Sequence, residues 1–568
     1  SMKAGGESGP AIVPGASDDS YLLDRLRSGE MPPGQNNVPE HEIDTIERWI
    51  AAGAATLRPE PESIGPGLGI TPEERSFWSF QPIRRPEVPD LSSYPPESRV
   101  RTPIDALILE AMPEGLSFSP DADRRTLIRR AYFDLIGLPP APDEMQTWLD
   151  DSGDDWFDRL VTQLLDSPHY GERWGRHWLD VAGYADSEGF TVADAVRPWA
   201  WKYRDWVIRS LNADKPIDRF LIEQLAGDEL AGPRSGDLTP EQIELLTATG
   251  LLRNAADGTG SGDNSPEARN QVMVDTLKIV GTSLLGLSVQ CAQCHDHRYD
   301  PIPQTDYYSL RAVFEPALDW QSWKTPAQRQ VSLYTEADHQ NAAEIEAEAQ
   351  KVAAERNAKQ EQFITEQLEK QLQRIDDESL REPLRTAYRT PADQRSEEQN
   401  QLLATYPFVR QLSPGSPSRN VQRMADELIK IDQQIAEIRA KKPPQEFLRV
   451  LIEDPNHAPE TKLFFRGDYQ QPKQTVLPAG LTVAAPEDED LQFAADDESL
   501  PTTGRRLAFA KSLTDGNHPL VSRVFVNRVW MHHFGRGLVE TPADFGKLGV
   551  PPTHPELLDW LADEFVQQ

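Results

Sequence analysis

A mainly α fold is what this sequence predicts, on three observations. Met273, Leu277, Val280, Leu284 and Leu287 recur at intervals of 4, 3, 4 and 3, the spacing of one buried helix face. Val421, Met424, Leu428, Ile431, Ile435 and Ile438 recur at 3, 4, 3, 4 and 3, which is a coiled-coil seam. No glycine occurs from Val331 to Pro414, where Glu, Gln, Lys, Arg and Ala dominate. A contrasting stretch, about 446–485, carries short apolar runs broken by Pro, Gly and Asn, and reads as a small β element.

Taken in order, residues 5–58 form a first module. Ile43, Ile46, Trp49 and Ile50 fall on one helical side, and Met31-Pro32-Pro33 reads as a turn. Residues 59–100 are a proline-rich linker with an aromatic anchor, Phe77-Trp78-Ser79-Phe80. A globular segment, 101–318, opens at Thr102-Pro103-Ile104-Asp105. Its helix from Arg124 is stopped by Gly137, Pro139 and Pro140. The stretch His169–Asp180 is dense in tryptophan, arginine and histidine, with Arg173 and His177 on one face and Arg176 and Asp180 on another. Such flat and charged side chains suit a propionate-bearing cofactor or a sugar ring as well as a packed aromatic helix. Asp257–Asp263 reads as a flexible connection, and Ser265-Pro266-Glu267 caps the helix that carries the first stripe. Residues 319–445 are expected as an antiparallel helical hairpin, with Ile364, Leu368, Leu372 and Ile375 facing the seam. A small β element at 446–485 and a helical C-terminal domain at 486–568 complete the chain.

The chemistry centres on Cys291-Ala292-Gln293-Cys294-His295-Asp296-His297, which holds the only two cysteines in 568 residues. C-x-x-C-H is the attachment signature of a c-type haem: the thiols add across the porphyrin vinyl groups and the imidazole becomes the proximal iron ligand. Two other readings stay open, a zinc site using Cys291, Cys294 and His295 or His297, and a simple disulfide. With haem, the prediction is one covalent haem c, Cys291 and Cys294 holding it and His295 as proximal metal ligand. The fold class is then a helical haem-bearing core with a long helical-hairpin (coiled-coil) insertion and a small β element before a helical C-terminal domain. His297 lies too close in sequence to reach the other face of the same iron. The distal candidates are His177, His169 and Met273. The catalytic candidates are His177, Asp186 and Tyr184, and Asp180/Asp186 and Asp186/Glu188 are carboxylate pairs of the kind glycan cleavage needs.

Lys and Arg number 58 against 92 Asp and Glu, a net charge of −34. So acidic a chain repels nucleic acid and anionic lipid, and no apolar run is long enough to span a membrane. An anionic glycan would need a local basic cleft. Thioether attachment of haem takes place outside the bacterial cytoplasm, so a periplasmic, secreted or cell-surface location is expected.

Three phrases, RRAYFDLIGLPP, SPHYGERWGRHWLDVAGYADSEGF and LGLSVQCAQCHDHRYDPIPQTDYYSL, resemble the second planctomycete cytochrome domain. Residues 5–58 resemble the C-terminal half of the planctomycete cytochrome c module, in which Met31 matches the distal methionine; that module's own C-x-x-C-H is absent. The end of the chain, with Asn517-His518-Pro519-Leu520 and His532-His533-Phe534-Gly535, resembles the companion C-terminal domain of unknown function. Gly183 stands where the family usually shows arginine, and truncation is expected at both termini. The resemblance implies an exported c-type haem protein in redox chemistry, electron transfer or oxidation linked to polysaccharide breakdown, with a redox partner protein or a sugar as its partner. The alternative is a glycan-binding or glycan-cleaving protein whose haem or metal is structural. The helical arm is a candidate surface for self-association.

Overall fold

The structure is a computed structural model that describes residues 10–31, 38–55, 70–189, 193–410, 419–485 and 491–567. Two compact units divide it, Ser1–Pro72 and Glu73–Gln568. In the first, helices α1 (Tyr21–Arg27) and α2 (Glu40–Ala51) enclose Ile12, Leu23, Ile43, Ile50 and Ala54, with Ile46 and Trp49 packed at the margin. The predicted side of α2 is therefore its buried side. Met31 is exposed and its N–H donates to the Arg25 carbonyl, while Pro32 and Pro33 lie outside the described residues. A single turn, α3 (Pro72–Arg75), stands at the boundary of the two units.

In the second unit, α4 (Pro103–Ala111) starts with a capping box in which the Thr102 hydroxyl accepts from the Asp105 N–H and the Asp105 carboxylate accepts from the Thr102 N–H. Helices α5 (Arg124–Leu135), α6 (Pro142–Asp150) and α7 (Trp156–Leu165) bury Ile128, Tyr132, Trp148, Leu160 and Leu164 together. α5 stops where the sequence predicts, with Gly137 at φ +73°. α8 (Pro168–Val181) lies on α9 (Trp201–Asn212) at close range: a Cβ at Gly171 would sit 2.4 Å from the Ile208 carbonyl oxygen. Helices α10 (Ile217–Leu230), α11 (Pro240–Ala248), α12 (Pro266–Val280) and α13 (Gln304–Phe314) follow. Met273, Leu277, Val280, Leu284 and Leu287 are all buried, as their spacing predicts. Beyond α12 the chain makes a π-helical turn, Gly281–Leu285, and a 3-10 turn, Val289–Gln293, which delivers the cysteine motif.

The arm consists of α14 (Glu336–Leu372), α15 (Arg381–Arg389), α16 (Glu397–Thr405), α17 (Pro407–Arg410) and α18 (Arg419–Arg439). α14 and α18 run antiparallel, as the ion pairs Glu346–Arg439 at 2.8 Å and Arg356–Asp432 at 3.0 Å show. The expected hairpin is present, but its seam has different partners. Ile431, Ile435 and Ile438 meet Ile345, Ala349 and Val352. Leu368, Leu372 and Ile375 instead pack on Leu384, Ala387, Leu403 and Val409 of the tip helices, which the sequence reading left unassigned.

Strand β1 (Gln330–Ser332) pairs antiparallel with β2 (Phe447–Arg449), closing the base of the arm, and β3 (Lys462–Phe464) pairs with β4 (Pro472–Thr475). The β element thus borrows a strand from before the arm. C-terminal helices α19 (Arg505–Thr514), α20 (Val521–Phe534) and α21 (Pro555–Gln567) complete the unit. The aromatic anchor docks onto them: Trp78 packs on Phe545 at 5.5 Å, and Arg523 donates to the Gln81 carbonyl at 2.7 Å. Among the described residues no helix is long and apolar enough to cross a membrane.

One buried ionic group ties α10, the segment after β2 and α19 together. Arg506, fully buried, grips Asp228 through both terminal nitrogens at 2.7 and 2.8 Å and reaches Glu453 at 3.4 Å. Glu229 accepts from the N–H groups of Arg506 and Leu507 in the first turn of α19, where the helix dipole favours a carboxylate. Burial, together with the carboxylates of Asp228 and Glu453, pushes Glu229 up to about 7 despite Arg506. Removing one partner of such a group strands buried charge. Arg506→Ala is expected to lower stability by about 3–5 kcal/mol, read as an earlier denaturant midpoint in tryptophan fluorescence. An unchanged midpoint would contradict this role.

Candidate functional site

The cysteine motif sits at the surface on a turn held from behind. Cys291 and Cys294 are both free thiols and both exposed. Tyr308 Oη and Gln304 Nε2 donate to the Gln293 carbonyl at 3.2 and 2.8 Å, and Gln304 Nε2 also reaches the Phe464 carbonyl at 3.0 Å. α13 and β3 therefore fix the peptide between the two cysteines. Gly467, at φ +77°, lies against the second thiol, so that a Cβ there would come within 2.9 Å of Cys294 Sγ.

The two histidines of the motif have different environments. His297 has a buried side chain and both ring nitrogens are engaged: Nδ1 accepts from the Asp300 N–H at 2.9 Å, so Nε2 carries the proton and donates to Ser288 Oγ at 3.2 Å. His295 is exposed, and its Nδ1 donates to the Asp296 carbonyl at 2.6 Å. That bond fixes the proton on Nδ1 and leaves the Nε2 lone pair for a metal, the arrangement metal-bound histidines use. The C-terminal domain clamps the loop on either side, through Phe545 N–H to the Gly286 carbonyl at 2.7 Å and Lys547 N–H to Asp300 Oδ1 at 2.7 Å.

A haem c fits these residues: two free surface thiols at C-x-x-C spacing, followed by an imidazole in the right tautomer with its outer nitrogen open. The disulfide reading is not realised, since both thiols are free. For the zinc reading, no three His, Cys, Asp or Glu side chains gather to hold a metal ion among the described residues.

The remaining sequence-selected residues occupy other surroundings. His169 pairs with Glu172 at 2.7 Å on the exposed start of α8. Met273 is fully buried in the stripe of α12. His177 stacks face to face on His532 of α20 at 3.7 Å, with Trp174 packed against both rings and against His533, which bonds Asp134 at 2.6 Å. Among the described contacts, none joins His169, His177 or Met273 to Cys291, Cys294 or His295. Tyr184 Oη donates to Asp186 Oδ1 at 2.6 Å, and burial with that carboxylate pushes its phenol up. Asp186 and Asp180 are exposed, whereas Glu188 is buried between Arg197 and Arg449. Both Glu188 oxygens are thereby occupied, and it is not available as the second carboxylate of a hydrolytic pair. At Gly183, φ is +68°, so the position of the missing family arginine is a left-handed cap of α8.

The fold and this motif define a helical protein with the attachment sequence of a c-type haem. Family models match three stretches: Planctomycete cytochrome C at residues 1–35, Protein of unknown function (DUF1549) at 103–318, and Protein of unknown function (DUF1553) at 505–568. Together they are the module set of the planctomycete-type cytochrome c family that the sequence resembles. Residues 1–35 contain no cysteine, so the single C-x-x-C-H belongs to the central matched stretch. No curated protein and no solved structure matches the chain. What the matches support is a c-type haem protein.

The sequence reading missed His532 as the partner of His177, although the His532-His533 pair was visible near a helix end. Burial, then repulsion from His532 and Arg173, pushes His177 down to about 4, against the opposing pull of Asp180. A base with a depressed folded pKa stabilises the fold above its unfolded pKa of about 6.5, and that contribution is lost as pH falls toward the folded value. The melting temperature of the wild type is therefore expected to drop between pH 6.5 and 4, and to drop less in His177→Phe, which keeps the ring and removes the proton. Parallel pH profiles for the two proteins would show that His177 does not titrate in this range.

Proposed function

We propose that this chain is an exported c-type haem protein of redox chemistry, acting in electron transfer or oxidation linked to polysaccharide breakdown. The observation that carries the haem reading is the pairing of two free, exposed thiols with His295, whose Nδ1–H is committed to the Asp296 carbonyl. Cys291 and Cys294 would hold the haem through thioethers, each S–H adding across one vinyl C=C, and His295 would offer its free Nε2 to the iron. A haem held there supplies a one-electron iron couple whose potential the axial ligand and the burial of the group set. The chain's own part is to hold the attachment turn rigid, through Gln304, Tyr308, Phe545 and Lys547, and to orient the imidazole. The link to polysaccharides rests on the family resemblance, and export rests on where thioether attachment takes place.

Whether a second side chain would join His295 in holding the haem decides the class of chemistry it would supply. His177 is stacked on His532, His169 is paired with Glu172, and Met273 is a core residue, so each would have to leave its present partners to serve a haem held at His295. The chain, produced with a haem-maturation system, is expected to be coloured and to keep its colour after denaturation. Its reduced spectrum is expected to be five-coordinate. Cys291→Ala combined with Cys294→Ala removes the covalent colour. Colour that survives both substitutions would overturn the attachment site, and a six-coordinate low-spin spectrum would restore one of the three distal candidates.

A further inference from the structure

A second site lies apart from the thiols, at the base of the arm, where residues 316–331 face residues 450–457. A cavity of about 220 Å³ there is lined by Arg253, Arg329, Arg234, Lys324, Trp323 and His457, among others. Arg253 is only 7% exposed and the Arg329 side chain 9%. Behind them, Arg197 and Arg449 clasp Glu188 at 2.7 and 2.9 Å, and Arg329 grips Asp257 while its guanidinium lies 4.1 Å from the Trp323 ring. Four guanidiniums thus share two carboxylates, and Asp228, a further carboxylate that Arg253 feels, is already held by Arg506. With Asp319, a buried carboxylate that lines the same cavity, counted beside Glu188 and Asp257, this is a buried excess of one positive charge in a chain of net charge −34.

Among the residues that line the cavity, two guanidinium donors are unanswered. Nη1 of Arg253 and Nη2 of Arg329 are buried without a hydrogen-bond partner. Leaving a buried polar group unsatisfied is costly, more so when it is charged. Arg253 is also pushed far down by burial and by the neighbouring charges of Arg329 and Arg449. A bound oxyanion would satisfy both donors and balance the charge, and a guanidinium fork matches a carboxylate or a sulfate ester in shape.

We infer that this cavity binds an acidic sugar, with its carboxylate or sulfate ester held by Arg253 and Arg329. The volume is below the roughly 300–1,000 Å³ of pockets for drug-sized ligands, which suits one ring with its charged substituent. Asp319 and Asp454 line the same cavity as acceptors for ring hydroxyls, oriented by His457 at 2.9 Å and Lys324 at 2.5 Å. The inference deepens the polysaccharide reading and is independent of the haem, since it uses none of the residues of the attachment turn.

Calorimetric titration of the full chain tests it, with D-glucuronate, glucose 6-sulfate, glucose and inorganic sulfate as probes. One or both acidic sugars are expected to bind saturably and to raise the melting temperature, which names the carboxylate or the sulfate ester as the group recognised. Glucose is expected not to bind, and inorganic sulfate to bind more weakly than the better acidic sugar. Arg253→Gln is expected to weaken binding about tenfold or more, the worth of one charge-assisted hydrogen bond. Arg234→Glu, at an exposed position on the rim, is expected to weaken it several-fold without threatening the fold, and it carries the test if Arg253→Gln does not fold. Absence of binding by both acidic sugars, sulfate binding as tight as theirs, or full affinity in folded variants overturns the inference. The same titration on haem-free and haem-loaded chain separates the two claims: failed haem attachment leaves binding intact, and failed binding leaves the haem reading standing.

Discussion

Arg506, buried among Asp228, Glu229 and Glu453, is the interaction on which the larger unit depends. It draws α10, the segment that leaves β2 and the start of α19 to one point. With α19 in place, the C-terminal domain supplies Phe545 and Lys547 to the two ends of the cysteine loop, and the anchor residues Trp78 to Gln81 lock onto α20 and its neighbours. The matched central and C-terminal stretches are therefore one structural body rather than two modules in series. Buried guanidiniums do in this chain, which has no cysteine to spare for structural disulfides, what cross-links do elsewhere.

Charge is distributed with the same economy. The surface is strongly acidic, yet positive charge is concentrated inside, around Glu188 and Asp257, beside a cavity. The thiol turn and the arginine cavity are built differently: one presents reactive groups to solvent on a rigid turn, the other encloses donors that have no partner. A protein that both holds a redox group and grips an acidic sugar would bring an oxidant to a polyanionic substrate that its own surface otherwise repels.

Much of the fold was legible because its signals are local and periodic. The stripe Met273 to Leu287, the side of α2 and the stop of α5 at Gly137 all depend on spacing or on one residue's backbone freedom. The seam of the arm was legible on α18 only. Its partners on α14 were misplaced because the described residues that follow it, 373–410, include three short helices, which absorb Leu368, Leu372 and Ile375. The pairing of β1 with β2 joins residues more than a hundred apart and leaves no mark in either strand. At the site, the cysteine motif announced itself, while the difference between exposed His295 and buried His297 depends on backbone partners that the sequence does not display. The arginine cavity stayed hidden although it had a signal: Arg253 closes the pair Leu251-Leu252, Arg449 interrupts the apolar run Leu448-Arg449-Val450-Leu451, and an arginine in such company is buried with a purpose.

The central claim is that this polypeptide carries one haem through both of its thiols. Intact mass measured under denaturing conditions, on chain matured in a host that attaches c-type haem, tests it most directly. The account predicts a single species heavier than the polypeptide by one haem. A mass equal to that of the polypeptide alone, in a host that matures a control cytochrome c, would contradict it.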